Sequence, residues 1–486
     1  MKLKIVLSIC FLILVTSCAG DKDLKSDIKN DVKAKFLSNS SQINNNKPND
    51  KWWEEFNDEF LNQIIEIGLK NNKDIQLANI SIITARQINN IDATALLPSG
   101  KIEIGRQRFA SPAFGPNGVK YDIYQSVLDA SWELDFLGKN LDRYKAGKLR
   151  FLEEIQIYKA YSIRVASEIA QNYISLKSKQ KQIKNLEEIL KIQEELSKII
   201  QKKEALGSAF KTQIYQSRID YNIASSNLTS AKTDEKIITY RLAVLLGVTP
   251  EKILELLQAE NNKKQILDYY SGVVPLGLKS DILKRRPDII AAEYEIDATL
   301  YEKSSQFKEF FPSFSLTARI GGGAKDIGDV FKNGANVKDI RGGFSLPIFS
   351  FPELIAQYKI SKAKAKTALI NYEKTVIDAI ADCESQLSRY IDAIAIEKNA
   401  EDVKLASDKI LQITENKKLI GASSKEDLLN SKINNLNNEI SLAQKKSESL
   451  SHLIALHKAI GGGFEGYEIK FEKDQMQFVE INKTSK

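Results

Sequence analysis

Two long segments of the chain carry the apolar spacing of an amphipathic α-helix. Across residues 141–203, large apolar side chains recur three or four positions apart. They are Ile169, Tyr173, Leu176, Ile183, Leu186, Leu190, Leu196 and Ile200. This spacing predicts a coiled-coil-like seam, and residues 353–418 predict a second helix of similar length. At 1.5 Å per residue, helices of this size extend for roughly 95 Å, and their polar faces fit a tube lined by water.

A glycine turn and a returning helix follow each of these long helices. The turn residues are Leu206, Gly207, Ser208, Ile420, Gly421 and Ala422. The returning helices end near Gly247 and Gly461. Because glycine adopts the left-handed conformation that closes a helix, both turns predict a helix hairpin with its tip at the glycine.

Four shorter stretches, 101–110, 120–136, 313–322 and 337–349, alternate between apolar and polar residues. In the second stretch the apolar face consists of Tyr124, Leu128, Ala130, Trp132, Leu134 and Phe136. Alternation over about 10 residues is typical of strands that cross a membrane. It also suits a soluble sandwich, in which the apolar face would be core.

The number of strands limits the membrane interpretation. Closed barrels use about eight strands or more, and an open sheet would leave unpaired edges in lipid. Strands in a membrane would therefore have to be shared among several copies of the chain. A trimer would supply twelve.

The chain is a tandem duplication with a spacing of 214 residues, since eight identities recur at that distance. The matching pairs are Asp74 and Asp288, Ile75 and Ile289, Ala78 and Ala292, Pro98 and Pro312, Tyr144 and Tyr358, Lys145 and Lys359, Gly207 and Gly421, and Gly247 and Gly461. Each copy opens with an amphipathic helix, 61–95 or 280–307, that a proline ends. We therefore assign residues 51–247 to the first repeat, 248–273 to a connecting segment, and 274–463 to the second repeat.

The N-terminus has the features of a lipoprotein signal peptide. Lys2 and Lys4 precede an apolar run too short to span a membrane, and Thr16 and Ser17 stand immediately before Cys18. We expect residues 1–17 to be removed and Cys18 to receive diacylglycerol and an N-acyl chain such as palmitate. Residues 18–50 are polar and predict a flexible tether, and residues 464–486 form a C-terminal segment.

Composition and spacing argue against several other functions. The 70 basic and 63 acidic residues are intermixed, which disfavours a nucleic-acid partner. Once Cys10 and Cys18 are set aside, Cys383 has no disulfide partner. His452 and His457 stand five residues apart, which does not suit a metal pair. Arg286 precedes Pro287, a predicted first residue of a helix, and no nucleophile with a base accompanies it, so no enzyme is expected.

At this point the residues resemble a known family, the TolC-like outer-membrane efflux proteins, and within it the NodT-like lipoprotein branch. Its motifs here are Pro275-Leu276-Gly277-Leu278, Ser280-Asp281, Arg285-Arg286-Pro287-Asp288-Ile289, Ala292-Glu293, Phe311-Pro312-Ser313, Ser131-Trp132-Glu133-Leu134-Asp135, Leu242-Ala243 and Leu245-Leu246-Gly247. The resemblance covers essentially all of the mature chain.

The resemblance implies a mixed α and transmembrane β fold. A homotrimer would form one 12-stranded β-barrel, continuous with an α-helical tunnel that extends into the periplasm. This exit duct would passively conduct drugs or metal ions from an inner-membrane pump of the resistance-nodulation-division class, through a periplasmic adaptor. No cofactor is implied beyond the lipid on Cys18, and no metal site is implied.

The same resemblance suggests roles for the hairpin tips. The two glycine turns would contact the adaptor. The family commonly has a double ring of acids that constricts the tunnel after the second glycine, and Asp427 and Asn430 stand at those positions. Asn430 departs from the pattern, and Asp427 also suits an ordinary helix N-terminus, where an acid interacts favourably with the dipole.

Two alternatives remain open from the sequence. A protein-secretion duct of the type I systems shares this architecture. A periplasmic adaptor or structural lipoprotein would also use long helix hairpins and a lipid, but it predicts one hairpin rather than a duplicated one.

Overall fold

The computed structural model describes residues 28, 36–37, 43–44, 49, 51–111, 119–260, 266–269, 274–275, 279–332, 334–462, 467–472 and 475–480. In chain order its strands are β1 (Ile43–Asn44), β2 (Ser99–Ser111), β3 (Val119–Leu134), β4 (Val274–Pro275), β5 (Ser313–Ala324), β6 (Asn336–Ser345), β7 (Tyr467–Glu472) and β8 (Gln475–Glu480). Its α-helices are α1 (Glu59–Asn71), α2 (Lys73–Thr94), α3 (Lys139–Ala205), α4 (Lys211–Leu246), α5 (Pro250–Gln258), α6 (Ile282–Arg285), α7 (Pro287–Lys308), α8 (Phe351–Leu419) and α9 (Lys425–Ala459).

The elements of the first repeat recur in the second at the 214-residue spacing found in the sequence. Helices α2 and α7 match at both ends, α3 and α8 match at their C-terminal ends, and α4 and α9 match at their first residues. The turn glycines recur with them. Duplication of the chain is therefore visible in the backbone as well as in the sequence.

The helix predicted over 61–95 is interrupted, and this is a correction to the sequence analysis. Asn72 has extended backbone between α1 and α2, and its side chain accepts hydrogen bonds from the backbone of Asp74 and Ile75. The same side chain donates to the carbonyl of Leu245 at 2.9 Å. Asn72 thus ends one helix, caps the next, and ties both to the end of α4.

The second repeat has the same interruption at the equivalent position, Arg286. Its backbone is extended because the following residue is Pro287, which disfavours helical geometry before it. The side chain donates to the carbonyl of Ala459 at 3.0 Å, which is the counterpart of the contact made by Asn72. The helix predicted over 280–307 therefore consists of the short α6 and of α7, and α7 starts at Pro287 as predicted.

A four-stranded antiparallel sheet forms in the order β2-β3-β5-β6. Its register pairs Ile102 with Leu128, and Leu128 with Ile320. Residues with even numbers in all four strands lie on one face, because successive side chains of a strand alternate between faces. The predicted strand bounds agree with these elements to within a few residues, except that β6 ends at Ser345 rather than at residue 349.

The described residues form two compact units, and each unit draws on both repeats. One is built within 81–155 and 291–375 and contains the sheet, and the other within 32–80, 156–290 and 376–486. The second unit has a core of fully buried large side chains. They include Trp52, Leu61, Ile64, Ile65, Ile169, Tyr173, Ile174, Leu176, Leu242, Leu246 and Tyr390.

Part of the stretch predicted to be a flexible tether has regular structure. Strand β1 pairs in parallel with β4 through Ile43 and Val274. Among the described helices, none combines the length and apolar character needed to cross a membrane.

Candidate functional site

The even-numbered face of the sheet is apolar and exposed. Ile102, Ile104 and Ile340 are 71%, 78% and 73% exposed, and Leu128 and Ile320 are about half exposed. Among the described residues, Val330 packs over this face at Gly322, and the carbonyl of Leu96 contacts Trp132, but these five aliphatic side chains stay open. A soluble sandwich would bury them, so the exposure favours an environment of lipid.

The opposite face of the sheet is polar and carries a chain of ion pairs. Arg319 lies 3.2 Å from Glu103 and 3.0 Å from Asp129, and Lys101 lies 2.7 Å from Glu103. These residues come from three neighbouring strands. Charges of both signs that pair across strands suit a surface in contact with water.

Aromatic residues mark the end of the sheet that adjoins the helices. The rings of Phe136 and Phe314 meet edge to face with centroids 5.2 Å apart, and Phe314 lies 6.4 Å from Phe344. Phe136 and Phe344 are largely exposed. Trp132 lies nearby, and its indole nitrogen donates to the carbonyl of Leu96 at 3.1 Å. Such a cluster is typical of the aromatic girdle at a membrane interface.

Both hairpin tips have the same backbone geometry. Gly207 and Gly421 have φ angles of 71° and 74°, which L-residues with side chains rarely adopt. The amide of Ser208 donates to the carbonyl of Lys203 at 2.7 Å, and the amide of Ala422 donates to that of Lys417 at 2.8 Å. These bonds close each long helix in a Schellman motif, as the two glycines predicted.

The tips present exposed apolar side chains to their surroundings. Leu206 is 80% exposed and Ile420 is 79% exposed. The sequence analysis had named both residues, but it missed Phe210 and Leu419, which are 79% and 84% exposed. The sequence did contain a signal for these two residues. Large apolar residues flank each glycine turn, whereas a turn that contacts only solvent would favour polar residues.

Asp427 takes part in a capping box at the start of α9. The backbone amide of Asp427 donates to the hydroxyl of Ser424 at 3.0 Å, and the carboxylate of Asp427 accepts a hydrogen bond from the backbone N–H of Ser424 at 2.9 Å. A hydrogen bond from the hydroxyl of Ser424 lowers the pKa of Asp427 below its usual value, so the carboxylate stays charged. Asn430, one turn later, is exposed. The structure thus gives Asp427 a local role in the helix, which is compatible with a further role in the tunnel.

Ion pairs join the two hairpins close to their tips. Lys203, in the last turn of α3, lies 2.7 Å from Glu426 in the first turn of α9. Lys425, which precedes Glu426 in α9, pairs with Glu195 of α3. Asn430 lines a cleft at this junction together with Gln213 and Gln216. The predicted gate residues and the predicted adaptor contacts therefore lie at one end of the same hairpin pair.

Arg286 lies in a network of ion pairs and hydrogen bonds. It forms ion pairs with Asp288 at 2.7 Å and with Asp382 at 3.3 Å. Cys383, the next residue in α8, is fully buried, and burial raises the pKa of its thiol to about 12. His457 is buried against Trp52, and burial lowers its pKa to about 4. Within the described ranges, no group of three or more His, Cys, Asp and Glu residues could hold a metal ion.

One half-buried cluster was missed by the sequence analysis. Arg150 contacts Glu302 at 3.0 Å and also pairs with Glu295, residues about 150 positions away in α7. Glu153 lies one turn from Arg150, and burial, followed by the charge of Glu295, raises its pKa to about 7. No local sequence pattern could have indicated this cluster, because its members are distant in sequence.

The predicted lipidation site, Cys18, lies outside the described residues.

Comparisons with known proteins agree with this geometry. Residues 64–248 and 278–462 each match the family model described as outer membrane efflux protein, and the second match lies 214 residues after the first at both ends. The chain is 27% identical over 444 residues to the probable efflux pump outer membrane protein TtgC of Pseudomonas putida, covering 89% of this chain and 88% of TtgC. It is 24% identical to the cation efflux system protein CusC of Escherichia coli O157:H7, covering 84% and 85% of the two chains.

A solved structure has the same fold. The CmeC outer membrane channel of Campylobacter jejuni aligns with a TM-score of 0.80 and 27% identity, over 88% of this chain and 91% of CmeC. The prediction of the family, of the fold and of the outer-membrane location is confirmed. The family matches together cover well over half of the chain, and the chain is therefore a member of the outer membrane efflux protein family, an outer-membrane channel of a tripartite efflux system.

Proposed function

We propose that three copies of this chain close one twelve-stranded barrel in the outer membrane, continuous with a helical tunnel. The observation that carries the proposal is the four-stranded sheet with an exposed apolar face. Its edge strands, β2 and β6, have no further strand beside them in the described part of the chain. Unpaired edges are costly in lipid. Joining β6 of one copy to β2 of the next removes every edge, and three copies supply twelve strands.

The assembled channel acts as a passive exit duct and catalyses no reaction. The polar face of the sheet lines the water-filled lumen in this arrangement, and the apolar face contacts lipid. An inner-membrane pump of the resistance-nodulation-division class drives transport and selects the substrate, which is a drug or a metal ion. The named relatives support an export role, since TtgC belongs to an efflux pump, and CusC supports metal ions as a substrate class, since it belongs to a cation efflux system.

The hairpin tips bind the periplasmic adaptor in this proposal. Leu206 and Ile420 supply the apolar contact, supported by their exposure and by their place next to the glycine turns that close the long helices. Asp427 contributes one acid per copy to a ring around the three-fold axis. Asn430 supplies a neutral ring beside it, so the constriction carries a single layer of negative charge.

The N-terminus anchors each copy through acylated Cys18, with residues 18–50 as the connection to the body. We retain 51–247 and 274–463 as the two repeats, joined by 248–273 and followed by 464–486. Because the barrel closes without the lipid, Cys18→Ala should lose acylation but still form trimers. Failure of this variant to form trimers would contradict the proposal that the barrel closes without the lipid.

The adaptor contact is tested by placing acids at the tips. Leu206→Asp with Ile420→Asp should abolish export by the complete pump, measured as drug accumulation in cells, while trimer content in the outer membrane stays unchanged. Leu254→Asp is the matched control, because Leu254 is an exposed apolar residue of α5, away from the tips, and it should leave export intact. Normal export by the double variant would reject the tips as the contact.

A further inference from the structure

The apolar face of the sheet ends in a cluster of basic side chains at the end far from the helices. The register places Arg106 opposite Tyr124 and Arg108 opposite Asp122, and all four are even-numbered residues on the apolar face. Arg106 and Arg108 follow Ile102 and Ile104 directly on this face of β2. On this face of β2, the side chains therefore change from aliphatic to cationic between Ile104 and Arg106.

The height of this cluster matches a membrane boundary. Ten residues separate Leu134, at the helical end of β3, from Tyr124. At about 3.4 Å per residue and a strand tilt of about 40°, they correspond to a height of about 26 Å. The apolar band of an outer-membrane barrel is about 25 Å tall, with aromatic residues at both edges. Phe314 and Phe344 mark one edge, and Tyr124 with Arg106 marks the other.

The two arginines are held in place but not neutralised. Arg106 lies 2.6 Å from Asp122 and Arg108 lies 3.0 Å from it, so one carboxylate serves two guanidinium groups. Arg106 also lies over the ring of Tyr124, with 5.6 Å to the centroid. The side chain of Arg108 remains 74% exposed and that of Arg106 49% exposed. A net positive charge with free guanidinium donors therefore faces outward at the level of the headgroups.

A further cation lies on the same face at the other edge of the sheet. Lys338 of β6 is opposite Ile320 and is exposed. In the trimeric barrel proposed above, β6 of one copy adjoins β2 of the next. Lys338 lies in the same register row as Ile320 and Leu128, within the apolar band and not in the row of Arg106. The basic cluster therefore consists of Arg106 and Arg108, and it would recur three times around the barrel.

We propose that Arg106 and Arg108 bind the phosphate groups of a phosphorylated glycolipid in the outer leaflet of the outer membrane. Planar guanidinium groups bind phosphate oxygens through several N–H donors. Arg108 donates to Asp122 through two of its nitrogens and Arg106 through one, which fixes both side chains and leaves their remaining N–H groups available. The adjacent Ile102 and Ile104 contact the acyl chains of the same molecule. The inference rests on the proposed placement of the sheet in the membrane. It assigns phosphorylated glycolipids as the ligand of the end of the sheet far from the helices.

The test uses the purified full-length trimer in detergent micelles, with bis-phosphorylated lipid A as the probe and native mass spectrometry as the readout. The wild type should retain lipid A, and Arg106→Gln with Arg108→Gln should weaken retention by about tenfold or more, since charge-assisted bonds are lost. Monophosphoryl lipid A should bind less tightly than the bis-phosphorylated form. Arg341→Gln is the matched control, an exposed arginine on the polar face of the same sheet, and it should bind as the wild type does.

Several outcomes would overturn the inference. They are retention of lipid A by the double variant at the wild-type level, an equal loss in Arg341→Gln, or displacement of lipid A by inorganic phosphate, which would indicate a site for the free anion. A heat-resistant trimer band on gels must be present in every variant. If the wild type itself forms no trimer, the proposed function fails together with this inference, whereas a normal trimer with unchanged binding rejects this inference alone.

Discussion

A lysine at Leu128 tests the assignment of the apolar face to lipid. Leu128 lies near the middle of the apolar band and is half exposed in one copy of the chain. A lysine at the bilayer midplane of a barrel costs about 2–4 kcal/mol. Because each trimer carries the substitution three times, Leu128→Lys should destabilise the trimer by about 6–12 kcal/mol in total.

Ser131→Lys is the matched control for this experiment. It adds the same charge to the same strand three residues away, but on the polar face, where Ser131 is exposed. Its cost should stay below about 1 kcal/mol per copy, as for an ordinary surface substitution. The measurement is urea unfolding of trimers in lipid vesicles, followed by tryptophan fluorescence. Equal stability of the two variants would refute the reasoning, because it would mean that both faces contact water.

Three further predictions concern the periplasmic part of the chain. Gly421→Val should destabilise the second tip by about 1–2 kcal/mol, because its φ of 74° is strained for a residue with a side chain, and faster amide exchange confined to the tip would show it; Gly421→Asn should cost less. Arg286→Met should lower the free energy of unfolding by about 2–3 kcal/mol in urea titrations, below the full cost of breaking a buried pair because its two carboxylate partners are about 40% exposed. For His457, the pKa of about 4 in the folded chain lies below the ordinary 6.5, so the native state favours the neutral ring. Stability should be complete above about pH 6.5 and fall by about 3 kcal/mol as the pH drops towards 4, and His457→Gln should remove most of this dependence in acid titrations.

The repeat and the hairpins could be predicted from the sequence because their signals are local and strong. Apolar spacing over more than sixty residues identified α3, and the glycines that close the helices appear as single letters at fixed positions. The structure places Gly207 and Gly421 in the left-handed conformation that this reasoning requires. The alternation of apolar and polar residues in β3 likewise identified which of its faces is apolar and which is polar.

The interruption at Asn72 and the ion pairs of Arg150 depend on contacts distant in sequence. Asn72 donates to a carbonyl 173 residues away, and Arg150 binds carboxylates about 150 residues away. A periodic apolar pattern continues through Asn72, so it predicted an unbroken helix. In the second repeat the same break was easier to recognise, because Pro287 marks it directly.

The mass of the particle extracted from the outer membrane tests the central claim most directly. Native mass spectrometry of the detergent-solubilised protein, after the detergent has been removed in the gas phase, counts the copies without reference to shape. The account predicts three copies of the chain, each with the mass of the lipid on Cys18. A monomer would contradict it, because four strands with open edges could not close a barrel in the membrane.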